Sequence, residues 1–286
     1  MVRSTHIPTV ASSRLAAELR AERERAGLTR EAVAHEMGWA ATKVWRMEND
    51  KSRILARDVR RLMKLYEVDD AKAEALVELA RLAREPEWWH RYSGAIPEWF
   101  QVYVVLEATA SEVREYESEL VPGTMQTEAY ARAIMSTAPI LDSDDEIEEK
   151  ITVRIKRQAR LMGENPLNLW VVLNEAVIRR TVGGPEVMRE QLDHLVKLAR
   201  TRNVTLQVLP FDAGEHAAML GSFHLMRFPN DNPDKIYVEL QTGGVYSQKA
   251  EEVERYSLVF DHLRARALGP EQTIAYIQQV AAEFTR

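Results

Sequence analysis

Residues 27–49 read GLTREAVAHEMGWAATKVWRMEN, and this stretch decides the fold of the N-terminal third of the chain. Thr29 is a good helix N-cap, Val33 and Met37 lie four apart on one helix face, and Gly38 permits the left-handed residue that ends a helix. A second helix follows from Ala40, with Val44 and Met47 three apart and facing inward. Ala34 is small enough for the two axes to cross closely, and Trp39 fills the angle between them. The outward side of the second helix then carries Ala41, Thr42, Trp45, Arg46 and Asn49 in a single stripe.

That stripe has a chemistry. A helix presenting one such row fits a major groove about 12 Å wide. Arg46 can donate two hydrogen bonds to guanine O6 and N7, and Thr42 can bond a base or touch a thymine methyl. Arg30 opens the first helix, where free backbone N–H groups also favour a phosphate.

Helical spacing extends outward over 13–84. Leu15 and Leu19, then Val59, Leu62, Met63 and Tyr66, then Leu76, Leu79, Ala80 and Ala83 each make one apolar face. The expectation is a flexible arm over 1–12, containing Arg3, and an all-α domain of five helices over 13–85. A mixed α+β domain over 86–286 follows, making the chain α+β overall. Its first segment is rich in rings: Trp88, Trp89, Tyr92, Trp99, Phe100 and Tyr103. Helical spacing resumes through Leu106, Val113 and Tyr116. Thr127 caps a further helix, and Ser143 with Glu146 forms a capping box for a charged helix to about residue 162. Strand-like runs then appear at 167–173, 204–209, 222–228 and 235–240, giving a small sheet of four strands. A helix with Pro185 at its first position lies between the first two, and helices at 250–268 and 270–284 close the chain.

Composition narrows the function classes. The 286 residues are 45% hydrophobic, contain no cysteine and carry a net charge of −6. A packed core is affordable, and disulfides and thiolate chemistry are excluded. No run of about 18 apolar residues suggests a membrane span, and residues 1–13 do not read as a secretory signal, so a cytoplasmic, nucleoid-associated protein is expected. Charge is unevenly spread: residues 1–66 carry 14 Lys/Arg against 8 Asp/Glu, a net +6, and the remainder is −12. Only the head suits a polyanion.

The stretch from Leu15 to Tyr66, with its tail VWRMEN at 44–49, resembles the Xre/Cro-type helix-turn-helix family. The resemblance implies base reading by Ala41, Thr42 and Arg46, with Trp45 beside them, and phosphate contacts by Arg30, Lys43 and Asn49. Arg53 and Arg57, in a basic cluster with Arg60 and Arg61, are further phosphate candidates. Arg23 and Glu48 match the family's internal ion pair. Ala40 and Ala41 stand where polar residues are common in the family, and Trp45 where a small polar one is common, so fewer direct base contacts and more shape readout are expected. Farther on, YESELVPGTMQT at 116–127, RIKRQARL at 154–161 and QVLPF at 207–211 resemble a domain of unknown function that follows the helix-turn-helix in many actinobacterial regulators. That resemblance implies an antitoxin-like regulator of double-stranded DNA. Its second domain would form a homodimer and bind a small companion protein encoded nearby.

Two other readings of the second domain stand beside this one. Trp88, Trp89, Trp99 and Tyr103 either pack between domains or line a small-molecule pocket. Asp212, Glu215, His216, His224 and Glu239 include metal-ligand types, though zinc-binding histidines usually come at tighter spacing. No nucleophile elbow, phosphate loop or dinucleotide fingerprint is present. The expectation is a non-enzyme with no cofactor and no metal.

Overall fold

The computed structural model describes residues 9–84, 88–92, 94–137, 143–163, 165–229 and 232–284. Arg3 lies outside them. The chain forms two compact units: one from residues up to 93 together with 97–109, the other mainly from residue 110 onward. The first unit therefore extends past residue 85 and takes in the ring-rich stretch.

The first unit is helical: α1 (Val10–Arg25), α2 (Arg30–Met37), α3 (Ala41–Glu48), α4 (Ala56–Leu65), α5 (Asp70–Leu82) and α6 (Glu98–Thr109). The first helix begins inside the expected arm. Thr9 and Ser12 close a capping box, with the Ser12 N–H donating to Thr9 Oγ1 at 3.0 Å and the Thr9 N–H to Ser12 Oγ at 2.8 Å. The Ser12 and Ser13 hydroxyls also donate to Asp50, at 2.9 and 2.7 Å, tying the start of α1 to the exit from α3. Leu15, Leu19, Val33, Val44, Val59 and Leu62 form the centre of a core that the first five helices share. Trp89 and Tyr103 are buried in this unit, while Trp88 and Trp99 are half-buried.

The second unit holds β1 (Glu112–Glu117), α7 (Glu128–Met135), α8 (Asp144–Arg157), β2 (Asn168–Asn174), α9 (Glu175–Arg179), α10 (Pro185–Leu198), β3 (Val204–Leu209), β4 (Phe223–Arg227), β5 (Lys235–Leu240), β6 (Gly243–Ser247), α11 (Ala250–Arg266) and α12 (Pro270–Glu283). Among the described residues the sheet has six strands in the order β3-β2-β1-β4-β5-β6. The first three are parallel, and β4 to β6 run antiparallel to their neighbours. Two elements differ from expectation. Residues 112–117 are a central strand, not a continuation of the helix, because β2 and β4 pair with them on both sides. The Gly-rich segment at 243–247 adds a sixth strand. Val171, Val172 and Leu173 are all fully buried, so helices cover both sheet faces at β2. On one face α11 lays Phe260 and Leu263 against Tyr116, Val172, Leu209 and Phe223.

Gly183 shows how closely the helices approach. Its φ is +69°, and a Cβ there would stand 2.8 Å from the Ala133 Cβ and 3.0 Å from Val187 Cγ1. Gly183→Ala combines backbone strain with overpacking and is expected to lower stability by about 1–3 kcal/mol in a urea titration.

Candidate nucleic-acid interface

The turn between α2 and α3 is built from local bonds. Thr29 Oγ1 accepts the Ala32 N–H at 3.1 Å and starts α2, and Gly38 at φ 67° ends it. The Trp39 N–H then donates to the Ala34 carbonyl at 2.8 Å, which swings the chain into α3. Val44 and Met47 of α3 are 2% exposed and seat the helix on the core.

Polar side chains fix the helix's roll. Arg23 grips Glu48 with two nitrogens, Nε to Oε1 at 2.6 Å and Nη2 to Oε2 at 3.1 Å, and Arg30 Nε reaches Oε2 at 2.8 Å. The Glu48 side chain is 2% exposed. Lys43 Nζ donates to Asp58 Oδ2 at 2.9 Å and lies 3.5 Å from the centre of the Trp39 ring, joining α3 to α4. The Asn49 amide donates to the Trp45 carbonyl at 2.8 Å.

The structure places the expected contact residues in different surroundings. Arg30, Lys43 and Asn49, expected on phosphates, each have an intramolecular partner, because a buried carboxylate or a helix-end carbonyl lies within their reach. Ala41, expected on a base, is half-buried against the core. What α3 leaves in solvent is Thr42, Trp45 and Arg46, with Trp45 46% exposed. Arg53 and Arg57 are exposed beyond the helix, and Arg57 Nε lies 3.9 Å from Asp58. Arg60 instead pairs with Glu74, and Arg61 donates to the Met37 carbonyl. The sequence pattern had not marked one feature. The N-termini of α1, α2 and α5 are capped by Thr9, Thr29 and Asp69, whereas α3 and α4 begin at Ala40 and Leu55 with no side-chain cap. Their first N–H groups remain available to an anion.

In the second unit His216 and His224 are engaged separately. His216 Nε2 is 3.3 Å from the Tyr116 hydroxyl, and its Nδ1 accepts the Ala218 N–H. His224 lies between two carboxylates of the neighbouring strand, Nδ1 3.1 Å from Glu115 and Nε2 3.3 Å from Glu117. Burial pulls the imidazolium pKa down, but the glutamates outweigh it, Glu115 foremost, and raise it to about 10. Among the described residues no group of three or more His, Asp or Glu is arranged to hold a metal ion. His194 is half-buried, which pushes its pKa down.

A short helix that leaves Thr42, Trp45 and Arg46 in solvent, with the turn that precedes it, has the geometry of a helix-turn-helix module. Residues 14–76 match a family model described as a helix-turn-helix domain. Residues 100–279, more than half of the chain, match the domain of unknown function DUF5753, and the chain belongs to that family. No curated protein and no solved structure matches it. No described helix is long and apolar enough to cross a membrane.

Two outcomes follow from the geometry. Lys43→Ala strips the buried Asp58 of its closest cation, so thermal or urea unfolding is expected to show a loss of about 1–3 kcal/mol. His224 gains its partners only on folding. Its contribution is whole below pH 6.5, its ordinary pKa, and is lost as pH rises through about 10. Stability should fall across that window, His224→Gln should flatten the fall, and the His224 ring should still give an imidazolium NMR signature at pH 8.

Proposed function

We propose that the protein is a sequence-specific transcriptional regulator of double-stranded DNA, antitoxin-like in type, that works by binding and not by catalysis, in the cytoplasm. The observation that carries this reading is the exposed triplet Thr42, Trp45 and Arg46 on a helix whose other faces are tied down. Arg46 supplies the main base discrimination, at guanine. Thr42 adds a base or methyl contact, and Trp45 contributes apolar contact and shape sensing. Phosphates are met by Arg53, Arg57 and the uncapped ends of α3 and α4. Arg23, Arg30, Lys43 and Asn49 act as positioning residues that hold the reading helix.

The second unit serves, in this reading, to pair two copies of the chain and to bind a small companion protein. Support for a protein partner comes from the loop after β3. There Phe211, Met219 and Leu220 are 57%, 68% and 103% exposed, while the Arg266 guanidinium holds the loop through the Ala213 and Glu215 carbonyls. Apolar side chains this exposed suit a protein contact. Two copies would address half-sites about 34 Å apart. The small-molecule reading loses ground because Trp89 and Tyr103 are packed as core.

Footprinting and gel shift on DNA from the protein's own upstream region test the assignment. Arg46→Ala is expected to weaken the cognate site by about 1–3 kcal/mol and to relax preference at one base pair. Arg57→Ala should instead weaken all sequences alike and reduce the salt slope by about 1. An Arg46→Ala variant that loses affinity equally on every sequence would remove base reading from that side chain.

A further inference from the structure

The sheet has two outer strands, and the molecule treats them differently. An outer strand offers a row of backbone N–H and C=O groups to any strand that approaches, and proteins usually close or blunt it. At β3 it is closed. The Val208 N–H donates to Thr273 Oγ1 at 3.0 Å, and its carbonyl accepts the Leu268 N–H at 2.8 Å, both from the chain around the start of α12. At β6 no further strand pairs among the described residues. The sequence there does not blunt the edge either: residues 241–248 read QTGGVYSQ, with no charge and no proline. Val245, the middle residue of the strand, is 52% exposed. It lies opposite Val238, so it shares a sheet face with Val238 and with Leu240, which is 51% exposed.

We propose that β6 pairs antiparallel with β6 of a second copy of this chain, about a two-fold axis at Val245, so that two sheets become one. The absence of charge favours a second copy as occupant. A two-fold contact sets each residue close to its own counterpart, where any charge would face itself across the strands. An uncharged strand carries no such repulsion, and it gives a foreign strand of either sign no charge to recognise. Val245 adds apolar area at the seam. The pairing's purpose, presenting two reading helices to a palindromic site, rests on the regulator reading above. The pairing itself does not.

The test is the mass of the free protein by light scattering at tens of micromolar, without DNA, for wild type, Val245→Lys, Val245→Asp and an equimolar mixture of the two variants. Wild type is expected at twice the 32.8 kDa chain mass, each variant at the single-chain mass, and the mixture back at the double mass. Recovery in the mixture requires both variants to be folded and places the two side chains across one seam. A monomeric wild type, a dimeric Val245→Lys, or a mixture that stays monomeric overturns the proposal. A wild-type dimer that restores as expected but binds no DNA would sink the regulator reading and leave the seam standing.

Discussion

One buried carboxylate governs what the helical unit can present. Glu48 closes α3, the end where a helix dipole disfavours an acid. In solvent it would also repel phosphate. Burial between Arg23 and Arg30 removes both objections, since the charge is neutralised and withdrawn from the outer surface. The pair does more than cancel charge. A bidentate guanidinium contact has one orientation, so it fixes how α3 is rolled about its axis. A roll of one residue is about 100°. That would drive Arg46 toward the bundle and expose Val44 or Met47. With the carboxylate gripped from α1 and Lys43 gripped by Asp58 from α4, neither roll nor tilt is free.

The sheet unit repeats the logic at β1. Glu115 and Glu117 sit on the same sheet face and hold His224 as a cation between them. Charged groups take the place that an apolar ladder would occupy, and they are tolerable because each has an opposite charge within about 3 Å. In both units a buried ion cluster aligns neighbouring elements, and in both the cluster joins residues far apart in the chain.

That distance explains which parts of the fold were legible in the sequence. Thr29, Gly38 and the inward Val44 and Met47 announced helix, turn and helix, because caps and periodicity are local signals. Ser143 with Glu146, Pro185, and the runs at 204–209 and 235–240 were equally local. The strand at 112–117 was not. Its charges fall on both faces, Glu112 with Arg114 on one and Glu115 with Glu117 on the other, and the histidine that makes the second pair acceptable arrives more than a hundred residues later. The strand at 243–247 is short and opens with two glycines, so its propensity is weak. The start of α1 was hidden because its capping box uses Ser12 where Glu or Gln is usual. Within the candidate interface, the outward stripe was legible as a stripe. Which of its cations stay free was not, since Asp58 and Glu48 claim Lys43 and Arg30 through contacts that spacing does not encode.

The division of cations has a consequence for recognition. An eight-residue helix is about 12 Å long, and after the internal pairs are satisfied it offers three side chains to a groove. Three contacts, of which one is a bidentate arginine, discriminate few base pairs. A basic head of this size on an acidic body also gains little from charge alone, because the body opposes the same phosphates. Specificity must then come from repetition, two heads at a fixed spacing, or from the shape of the DNA between them. The first demands a rigid joint between copies, and a continuous sheet is a stiffer joint than a flexible linker. In the regulator reading proposed above, the economy of the reading helix and the sheet edge left open among the described residues are both met by a second copy held in register.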